Sequence, residues 1–220
     1  MVLRANLHEL EAMRELARGM GADFRHDSLL NPRVDCGASR YGEQQVTAAE
    51  AVAAELSDPA TRRLYEQACE EIRQAGPREP SDCVFTCGAG EIGFTVDPYG
   101  SLTLCQLARR ASFDLSRESF ARGWNEFLPR ARARHWERDA VCRTCTLLAI
   151  CGNCPGAAEL ELGDACGAVP QFCEITHRRA FALLGAASGH RQDASCCLGR
   201  VGQATASPLI QIERPRPRAR

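Results

Sequence analysis

Cys142-Arg143-Thr144-Cys145-Thr146-Leu147-Leu148-Ala149-Ile150-Cys151-Gly152-Asn153-Cys154 holds two C-x2-C pairs joined by a short apolar linker. Two thiols at this spacing can be aimed by one tight loop at one metal centre. A buried thiolate needs a metal or a positive neighbour to be stable. Four thiolates complete one [4Fe–4S] cube, each binding its own iron. Paired knuckles of this kind also build structural zinc sites. Spacing alone leaves iron and zinc both open. The linker, residues 146–150, is too short for a separate zinc-ribbon hairpin, which favours a cluster.

Outward from this stretch the chain carries thirteen cysteines in 220 residues: 36, 69, 83, 87, 105, 142, 145, 151, 154, 166, 173, 196 and 197. Nine of them fall between Cys83 and Cys173. An odd total does not pair completely as intramolecular disulfides. Met1-Val2-Leu3-Arg4 is followed by Glu9, Glu11 and Glu15 where a secretory signal would be apolar. No apolar run reaches the length of a membrane span. The expected compartment is therefore the cytoplasm, with the thiols serving mostly as metal ligands. The net charge of −1 gives no case for a nucleic-acid partner.

Local patterns predict an α+β chain. Asn6-Leu7-His8-Glu9 reads as a capping box opening a helix with Leu10, Met13, Leu16, Ala17 and Met20 on one face. Gly21 is its stop, and Ala22-Asp23-Phe24-Arg25 reads as a short strand. Residues 28–46 form a connector. Thr47-Ala48-Ala49-Glu50 opens a second helix. Asp58-Pro59 starts a third, with Leu64, Ala68 and Ile72 on one face and Gly76-Pro77 at its end. Residues 91–96 and 101–105 alternate around the turn Asp97-Pro98-Tyr99-Gly100 and predict a β-hairpin that carries Cys105 back toward Cys83 and Cys87. Residues 117–128 read as a helix with Phe120, Trp124 and Phe127 on one side, and Pro129 starts another running to about Glu137. A last helix covers 171–187, anchored by Phe172, Ile175 and Phe181. Residues 188–220 read as a disordered arginine- and proline-rich tail.

From Cys83 onward the chain resembles the C-terminal SPASM domain of radical S-adenosylmethionine enzymes of the peptide-modifying type, similar to the pyrroloquinoline-quinone peptide-crosslinking enzymes. The residues that carry the resemblance are Cys87, Gly100-x4-Cys105, Cys142-x2-Cys145-x5-Cys151, Cys154 and Cys173, with Phe94-Thr95-Val96-Asp97-Pro98-Tyr99-Gly100, Cys151-Gly152-Asn153-Cys154-Pro155 and Phe172-Cys173-Glu174 around them. Residue neighbourhood would group Cys83, Cys87 and Cys105 with one distant thiolate. The resemblance implies which one, and a crossed division. Cys83, Cys87, Cys105 and Cys154 would bind one [4Fe–4S] cluster, and Cys142, Cys145, Cys151 and Cys173 the other. It implies that both clusters sit beside a ribosomally made peptide or protein substrate, assisting its binding or passing electrons. The sequence departs from the family in three places. Cys151-x2-Cys154 is one residue short, Cys83-x3-Cys87 is tighter than in some members, and Cys166 is an extra thiol near Cys173.

The resemblance also implies a domain plan. Residues 1–46 would be a remnant of the last helix–strand unit of an α/β barrel with its exit loop, 47–80 a helical bridge, 81–187 the SPASM-like domain and 188–220 the tail. The C-x3-C-x2-C motif of the catalytic barrel is absent, since position 90 is Gly90. The chain is thus expected not to cleave S-adenosylmethionine alone, and no catalytic residue is assigned. It reads as a fragment, a split subunit that needs a separate barrel subunit, or a degenerate relative. A non-enzymatic cysteine-rich module, with zinc or clusters, that recruits a peptide or protein is the alternative. His26 and His135 read as ordinary histidines, Asp97 and Asp164 as turn residues, and Cys36, Cys69, Cys196 and Cys197 as free thiols.

Overall fold

The computed structural model describes residues 1–34, 41–75, 81–137 and 140–185. Cys36 in the connector, the Gly76-Pro77 helix end, and the tail with Cys196 and Cys197 lie outside the described residues. The described chain is α+β: helices around one small three-stranded antiparallel sheet. Among the described residues no helix is long and apolar enough to cross a membrane.

Helix α1 spans Leu10–Gly19. The expected capping box does not form. Asn6 turns its side-chain oxygen back to the Leu3 amide at 2.7 Å, and a 3-10 turn over Leu7–Glu9 leads into the helix instead. The predicted stop is right. Gly21 takes φ 66°, its amide bonds the Arg18 carbonyl, and the Ala22 amide bonds that of Ala17. Both bonds of a left-handed helix end are present. Of the expected apolar face, Leu10 and Ala17 are buried, while Leu16 and Met20 are exposed. The strand expected at Ala22-Asp23-Phe24-Arg25 is not formed. A strand exists only by pairing, and the described backbone offers this segment no ladder.

Helix α2, Tyr41–Gln44, is a single turn. Helix α3, Ala48–Leu56, has the predicted capping box: the Glu50 amide bonds the Thr47 hydroxyl and the Thr47 amide bonds the Glu50 carboxylate. Helix α4, Pro59–Ala75, begins after Asp58, whose carboxylate accepts the Thr61 amide at 2.8 Å. Its inner face is built on Tyr65, Ala68, Cys69 and Ile72, whereas Leu64 points to solvent.

Strands β1 (Thr95–Val96) and β2 (Ser101–Thr103) form the predicted hairpin, in the register Thr95 to Thr103 and Val96 to Leu102. Asp97 accepts the Tyr99 and Ser101 amides on Oδ1, and Gly100 closes the turn at φ 83°. Strand β3, Phe113–Asp114, pairs on the far side of β2 and is too short to show an alternating pattern in the sequence.

Helix α5 (Phe120–Arg122), a π turn (Gly123–Phe127) and helix α6 (Leu128–Arg132) run on without a break. The Leu128 amide bonds the Gly123 carbonyl, five residues back. Pro129 explains the widening, because it has no N–H to give and its ring crowds the carbonyl one turn earlier. The expected helix from Pro129 to Glu137 stops at Ala133. Residues 134–136 instead pair antiparallel with 82–84, through Val84 N–H to Arg134 O and Trp136 N–H to Asp82 O.

Helices α7 (Pro155–Leu162) and α8 (Pro170–Leu184) complete the chain. In α8, Phe172 and Ile175 are buried as expected, but Phe181 is exposed. Nine residues are two and a half helical turns, so Phe172 and Phe181 face opposite ways.

Four small apolar clusters replace one large core. One joins α1 and α3 to Ile175 of α8, and one joins the hairpin to the 84–85 and 165–166 segments. A third joins α4, α8 and residues 147–150, and the last lies under α7.

Candidate metal centre

The eight candidate ligands come from several elements of the fold and differ in burial. Cys83 belongs to the antiparallel bridge with His135 and is half-buried. Cys87 is exposed, in a loop fastened by Arg132, which donates to the Cys87 carbonyl and to the Ala89 carbonyl at 2.7 Å. Arg132 also pairs with Glu91 at 2.7 Å. Cys105 follows β2 and packs against the hairpin core. Its sulfur accepts the Ala108 amide at 3.3 Å.

Cys154 comes from the other side. It is the N-cap of α7, and its sulfur accepts the Ala157 amide at 3.4 Å. Two thiols thus repeat one motif, each bonded by the amide three residues on. Gly156 joins the two motifs: a Cβ there would lie 2.9 Å from the Ala108 amide nitrogen and 3.0 Å from the Leu107 Cβ. Only glycine lets α7 approach the loop after Cys105 so closely. Burial pushes the Cys154 thiol up from its ordinary value, against the hydrogen bond from Ala157 and with the charges of Cys105 and Cys87. Cys154 therefore shares its surroundings with both of those thiols.

Cys151 is separated from Cys154 by two residues, Gly152 and Asn153, and has different neighbours. Burial is the main cause that raises its thiol; a hydrogen bond with the Thr176 side chain opposes this, and the Cys145 charge adds to it. Thr176 lies one turn beyond Cys173 on α8, on the same face. Cys145 follows Cys142 in the 3-10 turn Val141–Thr144, with its amide bonded to the Cys142 carbonyl at 3.3 Å. Cys142 and Cys173 are both buried. Cys154 thus lies within electrostatic reach of Cys105 and Cys87, and Cys151 within reach of Cys145.

Three polar residues around Cys151 and Cys173 carry no signal in a cysteine pattern. Arg179 is 3% exposed, holds Glu55 through Nε and Nη2, and lies 4.1 Å over the Tyr65 ring. It also donates to the Ile150 carbonyl, next to Cys151, and its charge lowers the Cys151 thiol. His177 is buried and donates from Nδ1 to the Cys173 carbonyl at 2.8 Å, and burial lowers its pKa. The i, i+3 and i, i+4 spacing from Cys173 to Thr176 and His177 was the available clue.

Other thiols and histidines sort differently. Cys69 is 1% exposed in an apolar cluster, where burial raises its thiol. His26 stacks on Phe24, and its pKa is lowered by burial and then by Arg14. Asp97 is more than a turn residue, since it pairs with Arg109 at 2.8 Å. Phe120 and Trp124 pack with Phe94 in a half-exposed aromatic cluster. Cys166 packs against the hairpin core. Among the described residues, the one group of three His, Cys, Asp or Glu side chains with ligand atoms all within 4.8 Å of one another is Glu137, Asp164 and Cys166. The abundance of thiols and this triad suit the chain to metal binding.

Compared with protein-family models, curated proteins and solved structures, the chain matches none.

Proposed function

We propose that the chain is the auxiliary, SPASM-like portion of a radical S-adenosylmethionine oxidoreductase that modifies a peptide or protein. In this reading Cys83, Cys87, Cys105 and Cys154 hold one [4Fe–4S] cluster, and Cys142, Cys145, Cys151 and Cys173 hold a second. The observation that carries it is the division at the short gap. Gly156 packs the start of α7, which carries Cys154, against the loop after Cys105, and the Cys105 and Cys87 charges act on Cys154 while that of Cys145 acts on Cys151.

The donor set fits such clusters. Eight thiols in two groups of four, mostly sheltered from water, are what two all-cysteine cubes need. When bound, the clusters would supply an electron store beside the substrate. The chain's own residues orient the thiolates: the Ala108 and Ala157 amides bond the Cys105 and Cys154 sulfurs, and Arg179 lends positive charge near Cys151.

The catalytic C-x3-C-x2-C motif is absent from this sequence. The reading therefore assigns cleavage of S-adenosylmethionine to a barrel supplied by another segment or subunit. The test is anaerobic reconstitution with iron and sulfide. The expected product is brown, absorbs broadly near ~400 nm and holds about eight irons per chain. It yields no 5′-deoxyadenosine with dithionite and S-adenosylmethionine. Stoichiometric zinc retained against excess iron, or cluster-dependent turnover by the chain alone, would overturn the reading.

A further inference from the structure

Cys166 is the thiol that the two-cluster reading leaves over, and its surroundings differ from those of the other eight. It is 5% exposed, packed among apolar residues of the hairpin core, and its sulfur has no hydrogen-bond partner among the described residues. Beside it stand two carboxylates, Asp164 and Glu137. A buried thiol can donate one weak hydrogen bond to a carboxylate but cannot serve two acids at once. A cation between the three would satisfy all of them.

We propose that Glu137, Asp164 and Cys166 form a third metal site, separate from the eight cysteines, for a single divalent transition-metal ion of the zinc class. The three donors are close enough for one ion to gather. Ligand bonds of about 2.0–2.3 Å place two donors of one tetrahedral ion about 3.3–3.8 Å apart, and the three donor atoms here already lie within 4.8 Å of one another. The site is built by local structure. Gly163 ends α7 in the left-handed conformation at φ 74°. The chain then turns at once, with the Gly167 amide on the Asp164 carbonyl and the Cys166 amide on Asp164 Oδ1, each at 3.0 Å. Asp164 and Cys166 are thereby fixed on one side of a tight turn. Glu137 arrives from the segment that pairs with residues 82–84, next to Trp136, whose amide is anchored on the Asp82 carbonyl.

Charge supports the same assignment. One thiolate and two carboxylates around a divalent ion leave a net charge of −1. Arg134 pairs with Asp164 Oδ1 at 3.0 Å and brings that to zero. The arginine also orients the acid, because it takes one carboxylate oxygen and the other has no protein partner among the described residues. One thiolate with two oxygen donors suits zinc, which accepts sulfur and oxygen together, better than calcium or magnesium. Three protein ligands leave a fourth position for water. The ion would clamp the α7–α8 turn to the strand-like segment that carries His135 opposite Cys83, and so brace one edge of the first group of cysteines.

The experiment uses the full chain, reconstituted anaerobically with iron and sulfide, then equilibrated with Zn2+ and desalted. Zinc and iron are counted together, and zinc X-ray absorption reads the ligand shell. The expected result is about one zinc per chain, with one sulfur at about 2.3 Å and oxygen neighbours at about 2.0 Å. Cys166→Ser loses that zinc with the iron count unchanged. The exposed, conservative Glu137→Gln, which does not disturb the core, weakens zinc at least about tenfold. No zinc in the wild type, equal zinc in Cys166→Ser, or loss of iron in Cys166→Ser overturns the proposal; the last would make Cys166 a cluster ligand. If zinc instead fills the eight-cysteine groups, the cluster reading fails. The difference of one zinc between wild type and Cys166→Ser still decides the triad.

Discussion

Gly156 lies so close to Ala108 that a Cβ on the glycine would stand 2.9 Å from the Ala108 amide nitrogen. That amide is the donor to Cys105, and Gly156 is two residues past Cys154. One missing methyl group therefore sets how near the two thiols come. Gly156→Ala is expected to cost about 1–3 kcal/mol through overpacking against backbone that cannot yield. It should also loosen the first group of cysteines. The reconstituted variant is expected to hold about half the iron of the wild type. Full iron with an unchanged denaturation midpoint would show that the contact is slack.

The crossed arrangement makes a sharper forecast. Cys105→Ser and Cys154→Ser should each remove one cluster, and the same one, so the double variant retains as much iron as either single. Cys151→Ser and Cys173→Ser should each remove the other. Iron counts and cluster spectra on the four singles and the 105/154 double check this. A double variant without iron, beside singles that each keep half, would place the two residues in different groups.

Arg179 and Glu55 form a pair with the arginine 4% and the acid 17% exposed. Removing one partner leaves the other uncompensated, which costs about 3–5 kcal/mol for a buried pair. Arg179→Leu is therefore expected to destabilise strongly, and adding Glu55→Leu should recover much of the loss. Chemical denaturation of both singles and the double measures it. Additive losses would mean that the arginine acts through Tyr65 and the Ile150 carbonyl rather than through Glu55.

Punctuation and pattern in the sequence reach some of this structure and not the rest. The Thr47/Glu50 box, the Gly21 stop and the Asp97-Pro98-Tyr99-Gly100 turn are legible because each is decided within a few residues. Three readings fail where distant chain intervenes. Residues 134–136 have helical flanks but are taken by the 82–84 segment, and Ala22-Asp23-Phe24-Arg25 has strand-like residues but no partner. Phe181 is apolar, yet its angular position on α8 turns it outward. At the site, cysteine spacing names the ligands but not their surroundings. The close approach of α7, with Cys154 at its start, to the loop after Cys105 rests on Gly156, and nothing in spacing announces that glycine. Glu137 joins Asp164 and Cys166 only after the strand-like pairing brings it there.

The last expectation is a pH dependence located at Glu161 of α7. Burial raises its carboxyl from the ordinary 4.5 to about 7. The neighbouring Tyr41 hydroxyl is raised by burial and then by the Glu161 charge, so the acid lies close to a second sheltered group. The sign follows from proton counting. Between 4.5 and about 7 the folded chain keeps a proton on Glu161 that the unfolded chain releases. Stability from this group is thus complete below 4.5 and lost as pH rises through about 7. Glu161→Gln mimics the protonated acid at every pH and removes the dependence. Thermal midpoints measured from about pH 5 to about pH 8 should show the variant gaining steadily on the wild type, with the two nearly equal at the acid end. Curves that run parallel across that range would mean that Glu161 is hydrated and ionised in the folded chain, and the inference would fall.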